Sequence, residues 1–264
     1  MLSACFTPKI KNYPSYAVDA DEEKEFSIET NLGFSRGDES IIGSSYFDMG
    51  RSKIACYVFA PKPTTGKNIS FERGCLECSV SFAAHLKRDE SCVFDAENFV
   101  DGIDVLSNRL SSAVVDALKP AVRLESYPKC TINVSIVVIE SSYQDLAACI
   151  NATSLAICDA AVEMKDLVTA YPIYMKSSSG NKNNAMEVEN SPTTTHTDLL
   201  LTLACMSNLQ QITYLDSVGQ QNPLYMMQLV ESGQSQCEKL RTLLRNELIQ
   251  HQLSLTKPAT AAPV

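Results

Sequence analysis

Ala117 to Val168 reads ALKPAVRLESYPKC, TINVSIVVIE, SSYQDLAACINATSLAICDAAVEMKDLV, and this stretch decides the fold. Its middle segment, Thr131–Glu140, is β-branched and apolar almost without interruption, the pattern of a strand covered on both faces. From Ala147 to Ala161, the residues Ala148, Ile150, Ala152, Leu155, Ala156, Ile157 and Ala160 run almost all the way round a helical wheel. A helix apolar on every side is buried on every side. Tyr127-Pro128 therefore leads into a central strand, a loop at Ser141–Asp145 turns the chain, and a buried helix crosses the sheet.

Working outward, Phe26–Gly33 and Glu39–Phe47 read as a hairpin, and Lys53–Ala60 as a buried strand stopped by Pro61 and Pro63. Gly74–Ala83 alternates as a strand, and Lys87–Cys92 is a charged loop. Asp95–Leu118 spaces Phe99, Ile103, Leu106, Leu110, Val114 and Ala117 along one face, which predicts a half-exposed helix with Asp95 as N-cap. Tyr171–Met175, Leu199–Leu203 and Gln211–Leu215 read as strands, with a Ser-, Gly- and Asn-rich turn at Ser177–Asn184. Pro223–Gln252 reads as a long helix with Leu229, Leu240, Leu243, Leu244 and Leu248 inward. The pattern predicts an irregular arm over 1–24, a single α/β domain with a mixed sheet and packed helices over 25–252, and a disordered tail over 253–264.

The chain has 264 residues, 45% of them hydrophobic and 20% charged, an ordinary balance for a globular domain. No apolar run approaches the roughly 20 residues of a membrane helix, and Met1–Lys24 lacks a basic-then-apolar leader pattern. The ten cysteines are scattered, and Cys130, Cys149, Cys158 and Cys205 fall inside apolar patterns. They read as reduced thiols of an intracellular protein, which leaves the sequons at Asn68, Asn133 and Asn151 without meaning. A net charge of −9 argues against a solitary nucleic-acid binder.

Few motifs carry chemistry. Cys75-Leu-Glu-Cys78 has knuckle spacing, but a strand points residues i and i+3 to opposite faces, and no second Cys/His pair follows. His85, His196 and His251 have no nucleophile elbow beside them, and neither GxGxxG nor GxxxxGK[ST] occurs. No cofactor and no metal are expected.

The segments ALKPAVRLESYP, NATSLAICDAAVEM, DLV and LTLACMSNLQQITYLD resemble the RNase PH domain. The likeness is to the RNase PH-like ring subunits of the eukaryotic RNA exosome, and within these PAVRL, YP and DAAVEMKDLV are most similar to the mRNA transport regulator type. The resemblance runs with gaps from about Phe26 to Gln250. It implies a ribosomal protein S5 domain 2-like fold and a hexameric ring with other RNase PH-like subunits. It also implies S1 or KH cap subunits, RNA through the ring channel, no membrane, and a place in nucleus, nucleolus and cytoplasm. The work implied is 3′–5′ RNA processing and degradation, including rRNA processing and mRNA decay.

Active members of this family cleave RNA with phosphate, which they hold by a small hydroxyl residue followed by Arg in the loop before the buried helix. Counting back from INATSLAICDA puts Asp145 and Leu146 in those positions. A carboxylate about 4 Å from an anion repels it by on the order of 4 kcal/mol in a partly shielded site, and Leu146 has no side-chain donor. The general-acid Asp of active members aligns with Leu200, and the nearest carboxylate, Asp198, sits about 7 Å along the strand. The RNA-gripping Arg/Lys run aligns with HLKRDESCVF, leaving Lys87 and Arg88, with Arg73 nearby, as candidate RNA contacts. The expectation is a non-catalytic ring subunit with no catalytic residues. The alternatives are an active phosphate-dependent exoribonuclease subunit working with a ring partner, and a solitary enzyme sharing the fold.

Overall fold

Three N-terminal stretches form an antiparallel meander: β1 Phe26–Thr30, β2 Ile41–Met49 and β3 Ser52–Phe59. These belong to a computed structural model that describes residues 26–30, 40–50, 52–64, 72–86, 99–175, 199–219 and 223–256. Gly50, at φ +65°, makes the tight β2–β3 turn, a conformation that costs an L side chain. Two residues, β4 Lys62–Pro63, pair with the start of β6 Cys130–Glu140, and β5 Cys75–Phe82 runs parallel to β6 along its length. A parallel pair needs a crossover, and helix α1 Phe99–Leu118 supplies it. The first sheet is therefore six-stranded and mixed, with β6 at its centre between β3 and β5.

The second sheet is separate, three-stranded and antiparallel: β7 Val168–Met175, β8 Leu199–Met206 and β9 Gln211–Val218. All three strands are longer than the sequence expectation: no Gly or Pro interrupts the added residues Val168–Ala170, Ala204–Met206 and Asp216–Val218. Between the sheets lies α2 Asp145–Asp159, packed on β2 and β3 from one side and β7 and β8 from the other. That position explains the all-round apolar pattern: Ala147, Ala148, Cys149, Ile150, Ala152, Leu155, Ala156 and Ile157 are all fully buried. Gly43 of β2 permits the close approach, since a Cβ there would lie 2.4 Å from Ala160 N and 2.5 Å from the Ala156 carbonyl oxygen.

Helix α2 was expected to span Ala147–Ala161, and both ends differ. It starts two residues earlier, at Asp145, because that carboxylate accepts the Ser142 amide at 2.8 Å and so organises the first turn. It stops at Asp159 because Ala161 takes φ +53°. Ala161 N then donates to the Cys158 carbonyl and Val162 N to that of Ile157, a Schellman end with Ala where Gly is usual.

Helix α3 Pro223–Thr256 covers β7 and β8 and reaches β1. It runs past Gln252 into the stretch expected as tail, since no helix breaker occurs before Pro258. Cys237, Leu240 and Leu244 face inward, but Leu243 is 48% exposed. Cys237, Leu240 and Leu244 lie within about 60° of one another on the helical wheel, whereas Leu243 lies about 90° from the middle of that face. The arm over 1–24 and the Asp95 cap lie outside the described residues. Among the described residues no helix is long and apolar enough to cross a membrane.

Candidate functional site at the start of helix α2

The polar centre of the fold is where β6 ends and α2 begins. Asp145 is 7% exposed. Its Oδ1 accepts Ser52 Oγ at 2.7 Å and Ser142 N at 2.8 Å, and its Oδ2 accepts Ser141 Oγ. Ser52 and Ser142 also share a hydroxyl contact at 2.6 Å. The cluster ties the first residue of β3 to the first turn of α2. Burial pushes the Asp145 carboxyl above its usual range, against the pull of the Ser141 and Ser52 hydroxyls and the Ser142 amide. Among the described residues no Lys, Arg or His side chain hydrogen-bonds or pairs with the cluster.

The neighbouring Gln144 is buried, and its Nε2 donates to Tyr143 Oη at 2.7 Å. The Tyr143 ring lies 5.5 Å, centroid to centroid, from that of Tyr174 on β7. Tyr174 pairs in register with Leu200 of β8. The three positions singled out in the sequence thus converge at one pole: Asp145 and Leu146 in the first turn of α2, and Leu200 one aromatic pair away. Asp145 and Leu146 belong to the helix itself rather than to the preceding loop. Leu146 is half-buried against the core and Leu200 is half-buried on the strand. Asp198 lies outside the described residues.

Of the proposed RNA contacts, the described residues include Arg73. Arg73 is exposed and loosely paired with Glu125 at 3.7 Å, a surface pair of small energetic weight. Lys87 and Arg88 lie outside the described residues. Cys75 and Cys78 alternate on β5 as the strand period requires, and Cys78 packs inward against the core with its thiol pushed up to about 12 by burial. No group of three or more His, Cys, Asp or Glu able to hold a metal occurs among the described residues.

The sequence reading missed the polar residues that α2 buries. Asn151 is fully buried, its Nδ2 donating to the Ala170 carbonyl and its Oδ1 accepting the Ala170 amide, both at 2.8 Å. Ser154 Oγ accepts Val168 N at 3.1 Å. A helix side chain here replaces a neighbouring strand along the edge of β7. The available signal was polar residues inside an otherwise apolar helix, since a buried amide must find partners.

A mixed sheet and a smaller antiparallel sheet clasping one buried helix, with the polar centre at that helix's first turn, define an α/β domain of the RNase PH kind. The chain belongs to the 3′ exoribonuclease family: the model of that family's RNase PH domain 1 matches residues 22–163, more than half the chain. It is 26% identical over 224 residues to the exosome complex component RRP41-like of Arabidopsis thaliana, covering 81% of each. It is 34% identical over 136 residues to the exosome complex component MTR3 of Homo sapiens, covering 48% of each. The corresponding Schizosaccharomyces pombe protein, mtr3, is 31% identical over 164 residues, 59% of this chain and 57% of that one. The chain thus spans only about half the length of these MTR3-type relatives. Among solved structures, Rrp46 of rice (Oryza sativa) superposes with a TM-score of 0.60 at 16% identity, over 85% of this chain and 95% of that one. The archaeal exosome core gives 0.57 at 14%, over 84% and 87%. At such identities the structures bear on the fold alone.

Proposed function

We propose that this chain is a non-catalytic subunit of an RNA exosome ring, acting in 3′–5′ RNA processing and degradation. The observation that carries the reading is the Asp145 carboxylate, buried in the first turn of α2 and held by Ser52, Ser141 and the Ser142 amide. A helix N-terminus is where a fold of this kind presents amides to an anion. Here the chain supplies its own carboxylate, and apolar Leu146 and Leu200 stand where an anion-binding cation and a proton donor are needed. An incoming phosphate meets like charge, and among the described residues no guanidinium pairs with the cluster to offset it.

The work left to such a subunit is architectural. Strand β9 is an edge, and its Ile212 and Leu215 are exposed, as is Leu209 in the preceding turn. Exposed apolar side chains on an edge strand suit a protein neighbour rather than solvent. The neighbours inferred are other RNase PH-like subunits closing a six-membered ring, with S1 or KH cap subunits on one face and RNA in the channel. Lys87, Arg88 and Arg73 are assigned to RNA as phosphate-positioning charges, and the compartments as nucleus, nucleolus and cytoplasm.

Phosphate binding tests the reading. Phosphorus NMR on the native chain is expected to detect no bound phosphate, whereas Asp145→Ser with Leu146→Arg creates affinity. Phosphate bound to the native chain, and lost on Leu146→Glu, would overturn the non-catalytic reading.

A further inference from the structure

Two cysteines outside the α2 pole meet across the layer between the second sheet and α3. On β8, Leu203 and Cys205 point to the α3 side, and Thr169 of β7 is paired with Cys205 in register. On α3, Gly233 and Cys237 are one turn apart. A Cβ on Gly233 would lie 2.9 Å from Leu203 Cδ2, so helix and strand run close together there. One turn on, Thr169 Oγ1 donates to the Cys237 carbonyl at 3.2 Å, and Cys237 Sγ lies 3.7 Å from the Leu203 carbonyl oxygen. Strand residues two apart are separated by about 6.6 Å and helix residues four apart by about 6 Å. The spacings match, so the contact of Gly233 with Leu203 carries over to Cys237 with Cys205. The two side chains therefore face each other across this layer, and both thiols are free and buried.

We propose that Cys205 and Cys237 form a peroxide-responsive dithiol/disulfide site that staples α3 to β8. The assignment is independent of ring membership and of catalysis. The neighbouring thiol lowers the pKa of Cys205 and raises that of Cys237, which burial raises further, and Cys205 is the one of the two that keeps any exposure. Cys205 is therefore the attacking sulfur and Cys237 the resolving one. A peroxide molecule is small enough to reach a sulfur that a bulkier oxidant cannot.

The chemistry balances. The Cys205 thiolate attacks one peroxide oxygen, the O–O bond breaks, and the departing hydroxide takes up the Cys205 proton as water. Cys205 is now a sulfenic acid. The Cys237 sulfur attacks it, the S–S bond forms and the S–O bond breaks. The second hydroxide leaves as water with the Cys237 proton. Two thiols lose two electrons and one peroxide becomes two waters.

The test treats the full-length reduced chain with hydrogen peroxide under native conditions and maps cross-linked peptides by mass spectrometry. The expected result is one Cys205–Cys237 link and the loss of two alkylatable thiols, forming faster as pH rises and the Cys205 thiolate is populated. Cys237→Ser is expected to leave Cys205 as a sulfenic acid that dimedone traps, and Cys149→Ser to leave the link intact. The wild-type map needs no variant to fold. Absence of the link in native protein overturns the assignment, whether both thiols stay unmodified, Cys205 passes to the sulfinic acid, or linkage appears only after denaturation.

Discussion

Ala161 is one of three described non-glycine residues, with Lys129 and Gln210, held at a left-handed φ. Its φ of +53° ends α2 and starts the Schellman turn to Val162, a conformation that costs an L residue about 1–2 kcal/mol. Glycine relieves that strain and gives back about 0.4–1 kcal/mol through its freer unfolded chain. Ala161→Gly is therefore expected to stabilise the protein by about 0.5–1 kcal/mol, read as a higher urea midpoint with an unchanged slope. A lower midpoint would mean that the Ala161 methyl contributes packing that outweighs the strain. Asp145 has the opposite character, a charge that burial disfavours. Its folded-state pKa is raised above the usual 3.8, so the stability it contributes is present below the unfolded value and is lost as pH rises through the folded one. Asp145→Asn keeps an acceptor for Ser52 and for the Ser142 amide but does not titrate. The stability difference, variant minus wild type, is expected to move in the variant's favour from about pH 4 upward until Asp145 is fully ionised. Urea melts across that range check it, and a pH-independent difference would show that the hydrogen bonds cancel the cost of burial.

Helix α2 shows how far a pattern can be read. Its apolar residues announced burial on all sides, and strand β6 announced its own depth, so the central pair of elements was legible before any coordinates. The pattern did not say what covered α2. A wheel of apolar residues is the same whether one sheet wraps the helix or two sheets clasp it, and only the separate β7–β9 sheet decides the matter. Nor did it reveal Asn151, because the partner is the backbone of Ala170, which any residue type would provide. The cluster around Asp145 was half legible. Ser141, Ser142 and Asp145 are sequence neighbours, but Ser52 arrives from another strand. Leu243 was misplaced because the leucine run at 240, 243 and 244 fits more than one helix face. The element-scale prediction concerns Asn151. Asn151→Ala leaves a buried N–H and a buried C=O of Ala170 unpaired and is expected to cost about 2–5 kcal/mol, with amide exchange at Ala170 accelerated. Exchange unchanged at Ala170 would mean that water or a shifted strand replaces the side chain.

At the scale of the molecule, three features bear on the proposed role: a helix terminus filled by the chain's own carboxylate, half-buried Leu146 and Leu200 at the two positions the proposal rests on, and an edge strand with apolar side chains outward. If the proposed role holds, net charge −9 predicts that RNA near this chain is held by a surface composed of several chains rather than by this one alone. The direct test is a phosphorolysis assay on the reconstituted ring containing this chain, with every hydrolytic nuclease inactivated and labelled RNA and phosphate supplied. No nucleoside diphosphate is expected, and Asp198→Ala is expected to change nothing. Phosphate-dependent release of nucleoside diphosphate that disappears on Asp198→Ala would contradict the account, placing the proton donor at Asp198 and an active site in this subunit.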